Sequence, residues 1–388
     1  MGPTDKAYLE AWTRRKLMRR AAQLGAIAAV PAFISACGSE DGGSTATTTA
    51  TGANSDTGGP APASEITGTI TLRTYPGWIG DKEISTFEKR YPGTKVKEAA
   101  DTSSGAAETA ALLKRSEGKF DLTLAGLVTA GQLDAAGVLE PFDTSAVPNL
   151  KNMPALVREA FPIGVPGDMG KTGFAYRKDL VSEQPASWAD FWELATGKYS
   201  GKVTAFAYDV DIMGVALLYK GYSVNSTDAA EINAAKDALI ELKPHLRAIL
   251  DTDFSKPLKQ GTAVMAIDYD YDIAAAQADD PNIVWVTPTE GVPAYLEGWV
   301  PVKGSKNLPT TYAFMNQHLE PEIYANYINT IGAAYLMPAA EQWIKPAIKD
   351  NPSLKYDEAA LSSVGFEEFL GPEATVLRTK AWQEFMNA

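Results

Sequence analysis

From Thr67 to Arg73 the chain alternates polar residues with β-branched or apolar ones, the period of a strand buried on one face, and Pro76-Gly77 breaks it. A helical period follows, with Ile84, Phe87 and the Tyr91 region on one side, until Pro92-Gly93 stops it. Phe120 to Leu124 reads as a second strand and Gln132 to Val138 as a short helix closed at Gly137. Thr172 to Tyr176 is strand-like again, and Ser187 caps a helix that starts at Trp188. Strand Lys202 to Ala207, helices Ile212 to Tyr219 and Ala229 to Leu242, strand Ala263 to Asp268 and helix Ile273 to Ala278 continue the series. Such alternation predicts α/β architecture with mostly parallel sheets, whose ligand crevices lie beyond the carboxyl ends of the strands. No repeat of solenoid period is present.

The first 65 residues follow neither period. Arg14, Arg15, Lys16, Arg19 and Arg20 precede an almost uncharged run from Leu24 to Ile34, so residues 1–36 read as a secretory signal. The run is too short to span a bilayer. Thr13 to Met18 also fits a twin-arginine export signal, with the general export route as the alternative. Small residues precede Cys37, the single cysteine, which predicts its lipidation and anchoring of the mature chain to the outer face of a membrane. The polar, glycine-rich residues after it offer no core for a structural thiol. Residues 37–65, rich in Ser, Thr, Gly, Ala and Pro, read as a flexible tether.

The whole chain carries a net charge of −13, and without residues 1–36 the balance is 17 negative charges. That argues against a nucleic-acid partner. Roughly 320 residues beyond the tether are enough for two packed lobes. His245 and His318 are far apart, outside any Cys or HExxH context, and read as helix-surface residues. Neither a zinc site, a Ser-His-Asp triad nor a cofactor is expected.

Several segments occur in a recognisable order: Phe120-Asp121-Leu122, Gly137 to Asp143, Val147-Pro148-Asn149, Val165-Pro166 with Gly170 and Gly173, Ser187 to Trp192, Gly221 to Thr227, Pro288-Thr289-Glu290-Gly291 and Lys306-Asn307. In these the chain resembles the extracellular solute-binding proteins of ABC importers, in particular the spermidine/putrescine-binding branch. The resemblance implies a two-lobed, periplasmic-binding-protein-like (type II) fold with a hinge and an interlobe cleft. Lobe 1 would comprise residues 66–170 and 296–333, and lobe 2 residues 171–295 and 334–388. The crossings would fall near Asp168 to Thr172, near Leu296 and near Gly332 to Tyr335. It further implies a monomer without enzymatic activity, a polyamine or related organic cation as ligand, and permease subunits as partners.

A polyamine sets ammonium groups along an alkyl chain, so its site calls for carboxylates at fixed separation and aromatic faces between them. By the resemblance, Tyr295 and Glu297 supply one such pair, with a packing tyrosine and a solvated loop carboxylate as their alternative roles. Asp211, ten residues before Gly221, supplies another carboxylate, although helix N-cap is its alternative role. Asp268 aligns with a family aromatic. If Asp268 to Asp272 were extended, three carboxylates would face one side and Tyr269 and Tyr271 the other. The alternating aspartates do not match a calcium loop, which needs a glycine at position six and a distal glutamate. Tyr75, Trp78 and Tyr335 approximate further cleft aromatics.

The chain also departs from the family. Ala125, Gly126, Leu127 and Val128 stand where Ser and Tyr are frequent, and Met169, beside Asp168, replaces a Trp. A neutral or anionic solute such as a sugar therefore stays open as a ligand, with Lys171 the nearest candidate for an anion. An exported hydrolase is the third reading. No nucleophile elbow, zinc motif or phosphate loop supports it, while a glycosidase-like carboxylate pair stays open.

Overall fold

The computed structural model describes residues 59–100, 106–354, 356 and 364–388. The signal segment, Cys37 and most of the tether lie outside the described residues. Among these, ten strands form one sheet: β1 (Gly68–Thr74), β2 (Thr94–Ala100), β3 (Leu122–Gly126), β4 (Val165–Arg177), β5 (Val203–Phe206), β6 (Leu246–Leu250), β7 (Met265–Tyr269), β8 (Ile283–Val286), β9 (Val292–Pro301) and β10 (Val364–Phe366). Their order is β2-β1-β3-β9-β4-β7-β5-β6, with β10 beside β9 and β8 beside β4.

The expected parallel pairing holds away from the centre, where β1 joins β2 and β3 and β5 joins β6 and β7. At the centre it fails. β4 and β9 run antiparallel to each other, β9 is antiparallel to β3, and β4 is antiparallel to β7 and β8. These two strands are long because each serves both halves of the molecule. β4 pairs with β9 up to Lys171 and with β7 from Thr172, and all thirteen of its residues are buried. β9 pairs with β10 at Val292 to Ala294 and with β3 at Glu297 to Pro301. Met169 lies opposite Leu296 and also bridges to Ala334, just past the left-handed Gly332 (φ 72°) that ends helix Pro321–Ile331. The three segments expected to cross between lobes thus lie side by side.

Local signals account for much of the rest. Ser187 and Asp190 form a reciprocal capping box at the start of helix Trp188–Thr196, which buries Trp188, Phe191 and Trp192. Phe174 of β4 packs 5.2 Å from Phe191 and 5.6 Å from Trp188, ring centre to ring centre. Helix Ala229–Leu242 has the bounds its period predicts, with Asp228 capping it. The helix expected at Gln132 to Val138 instead spans Leu127–Ala135, and Gly137 takes φ 67° beyond it.

His318 corrects the surface assignment. It is fully buried at the end of helix Leu308–His318, and its Nδ1 lies 2.7 Å from Oε1 of Glu83, equally buried on helix Glu83–Arg90. A polar residue facing another packed helix is invisible to a single-helix period. His245 is half-buried in the 3-10 turn Lys243–His245 and bonds Ser200 Oγ.

Candidate functional site

Side chains alternate across a strand, so residues paired between neighbouring strands share a face. On β4, Asp168, Gly170 and Thr172 point to one side, together with their partners Glu297 and Tyr295 of β9 and Tyr269 of β7. Two hydroxyls on this face reach a helix. Thr172 Oγ1 donates to Asp211 Oδ1 at 2.7 Å, and Tyr269 Oη donates to Oδ2 at 3.1 Å. Asp211 is the third residue of helix Asp209–Tyr219, whose N-cap is Tyr208, so the alternative N-cap role does not apply. Its carboxylate sits in the first turn, where the helix dipole favours negative charge.

Asp168, which the sequence offers as a neighbour of Met169 and the start of a lobe crossing, is fully buried and accepts a 2.5 Å hydrogen bond from Tyr327 Oη. Glu297 is 9% exposed, flanked across the strands by Asp168 and Gly126. Gly126 adds no side chain there, and Glu297 Cγ lies 3.7 Å from where a Cβ would stand. The missing Ser and Tyr groups thus coincide with a glutamate packed on bare backbone.

Tyr269 stacks on Phe206 (4.6 Å) and Tyr271 (5.2 Å) and meets Tyr295 edge-on at 6.1 Å. Tyr295 lies over Gly170, where an added Cβ would come 2.5 Å from its ring and 2.6 Å from its hydroxyl oxygen. Gly170→Ala should therefore displace the Tyr295 ring at a cost of about 1 to 3 kcal/mol. The expected result is a lower melting temperature together with weaker ligand binding. An unchanged titration would show that the ring's position is immaterial to the ligand.

Of the other sequence candidates, Asp268 is turned away from this face. Asp268 pairs with Gly173 on the opposite face of β7 from Tyr269, is fully buried, and accepts the Tyr269 N–H at 2.7 Å. The extended Asp268 to Asp272 run does not form, because helix Asp270–Asp279 begins there and fans its aspartates around a first turn. Asp270 Oδ2 accepts from Tyr356 Oη at 2.6 Å. Burial pushes the Asp270 carboxyl up to about 6, against the downward pull of the Lys171 charge and the Tyr356 hydroxyl. Tyr75 and Trp78 form an edge-on pair 5.4 Å apart beyond the carboxyl end of β1. Tyr335 follows the bridging Ala334, but its hydroxyl faces Glu341; burial first, then Glu341 and Asp350, raise its pKa.

One carboxyl escaped the sequence reading. Glu367 is 6% exposed, its N–H donates to Ala294 O at 3.0 Å, and it follows the three-residue β10, too short for a period to reveal. Burial, then Asp211 and Asp209, push its pKa well up, while Arg378 opposes them. Among the described residues no cluster of His, Cys, Asp or Glu could hold a metal ion, and no helix is long and apolar enough to cross a membrane.

A model of the family described as bacterial extracellular solute-binding protein matches residues 82–356. The putrescine/cadaverine-binding protein of Pseudomonas aeruginosa is 26% identical over 330 residues, covering 81% of this chain and 92% of that protein. The putrescine-binding periplasmic protein PotF of Escherichia coli is 24% identical over 337 residues, 81% of this chain and 90% of that protein. Among solved structures, the spermidine/putrescine transporter substrate-binding protein PotD of Streptococcus pneumoniae superposes with a TM-score of 0.72 at 19% identity, covering 83% of this chain and 99% of that one. Its likeness is one of fold.

Proposed function

Because the chain belongs to the bacterial extracellular solute-binding protein family and has its two-lobed α/β fold, we propose that it is the solute-capturing receptor of an ABC importer, binding a polyamine or related organic cation between the lobes. The observation that carries this reading is the shared face on which Asp168, Asp211 and Glu297 stand with Tyr269 and Tyr295. Buried carboxylates are costly unless cations or hydrogen bonds compensate them, and phenol faces attract ammonium groups. Lys171, the candidate for an anionic solute, lies on the other face of β4 over the Tyr356 ring, which favours a cation over an anion. Relatives named for putrescine and cadaverine support the same class.

In this proposal the lobes are residues 66–170 with 296–333 and residues 171–295 with 334–388, hinged where β4 and β9 change partners. Tyr75, Trp78, Asp268 and Tyr335 are the outer candidates for ligand contact. Residues 1–36 direct export, Cys37 carries the lipid, and residues 37–65 tether a monomeric receptor that hands its ligand to permease subunits without chemistry.

The test is native mass spectrometry of the purified protein, followed by titration with putrescine, cadaverine and spermidine while melting temperature is read. At a hundredfold excess over Kd, ligand should add about 2.7 kcal/mol of stability. No retained amine and no response to any of the three, with a response to a sugar, would reject the cation.

A further inference from the structure

Behind the face that carries Tyr295, β4 presents Lys171, 3% exposed. Its Nζ stands 4.1 Å from the centre of the Tyr356 ring and 6.0 Å from that of Trp285. The Tyr356 hydroxyl donates to Asp270 Oδ2, and the Lys171 charge acts on that same carboxylate. Trp285 is held close by Gly173, two residues along β4, where a Cβ would come within 2.6 Å of the indole. A carboxylate with a phenol face and an indole face near a primary ammonium is the arrangement that recognises an alkylammonium ion. Here the chain both builds it and fills it. The box backs onto the cleft face, because Lys171 follows Gly170 on β4 and Tyr295 lies over Gly170.

We infer that Asp270, Tyr356 and Trp285 form an alkylammonium-binding box that the side chain of Lys171 occupies, as an internal stand-in for one ligand charge. The box stands on the distances from Lys171 to the two rings and on the Tyr356–Asp270 hydrogen bond; its effect on how many ligand charges the cleft favours rests on the cation reading proposed above. A lysine kept for packing would be replaceable by any side chain of its volume. A lysine acting as a bound ammonium would be replaceable by ammonium.

The experiment is thermal unfolding of the full chain carrying Lys171→Ala, with ethylammonium or propylammonium, and with equal concentrations of propan-1-ol or sodium chloride. The variant should melt several degrees below wild type and regain most of that loss with the alkylammonium ions only. Equal rescue by the alcohol, or no rescue at all, overturns the box. Should Lys171→Ala be too unstable to purify, Lys171→Met keeps the stem and removes the charge. Above neutral pH, where the Asp270 carboxyl is ionised, loss of the Lys171 charge leaves that carboxylate with one cation fewer beside it, so the affinity ratio of spermidine to putrescine should rise at least about fivefold over wild type. An unchanged ratio overturns the role in charge selection. If wild-type protein binds neither amine, the cation reading of the cleft fails, and the rescue by alkylammonium still decides the box.

Discussion

Glu297→Ala should weaken binding of a diamine at least about tenfold, or 1.4 kcal/mol. The floor is conservative, since truncating one member of a buried charge pair typically costs about 2 to 5 kcal/mol in affinity. Glu297 is nearly buried on β9, shares its face with Tyr295, and lies across from Asp168, so a cation seated there meets two carboxylates at once. Like charges directly opposite on neighbouring strands are unfavourable. The ligand-free variant should therefore melt no lower than wild type, while its gain on adding putrescine shrinks. Glu297→Gln, which keeps the shape and one acceptor, should fall between. Isothermal titration reads the affinity and a thermal scan the stability. An unchanged dissociation constant for Glu297→Ala would take Glu297 out of the site.

Glu83→Ala should destabilise the fold by about 3 to 5 kcal/mol, the usual loss when one partner of a buried pair is removed. Both oxygens of the carboxylate are engaged, Oε1 with His318 Nδ1 at 2.7 Å and Oε2 with the Gly80 N–H at 3.2 Å. The imidazole has no exposure, and its ring lies 4.8 Å from that of Tyr327. Alanine would leave a buried ring nitrogen and a backbone donor unsatisfied and open a void between two helices. Denaturant unfolding measures the loss. A change below about 1 kcal/mol would mean that the helices relax to bring water to His318. Because Tyr327 also holds Asp168, a packing shift here should reach the ligand as a smaller loss of affinity.

Much of the architecture was readable because its causes are local. The Ser187 cap, the bounds of helix Ala229–Leu242 and the breaks at Pro76-Gly77 and Pro92-Gly93 are short-range consequences of side-chain chemistry. Strand β9 and helices Leu308–His318 and Pro321–Ile331 went unassigned. β9 is buried along nearly its whole length and shows no two-residue alternation, while polar members of the helices, such as His318 through its Nδ1, bond to distant partners.

The candidate site divides in the same way. Composition and motif order were enough to predict a bilobal solute receptor and to nominate Tyr295, Glu297 and Asp211. Tertiary pairing alone decided that Asp168 joins them while Lys171 and Asp268 turn to the other side, and it brought Glu367 in from 156 positions beyond Asp211. A strand's side chains repeat every two residues, so which of two neighbours faces the ligand depends on register against a strand more than a hundred residues away. No local pattern along β4 encodes that register.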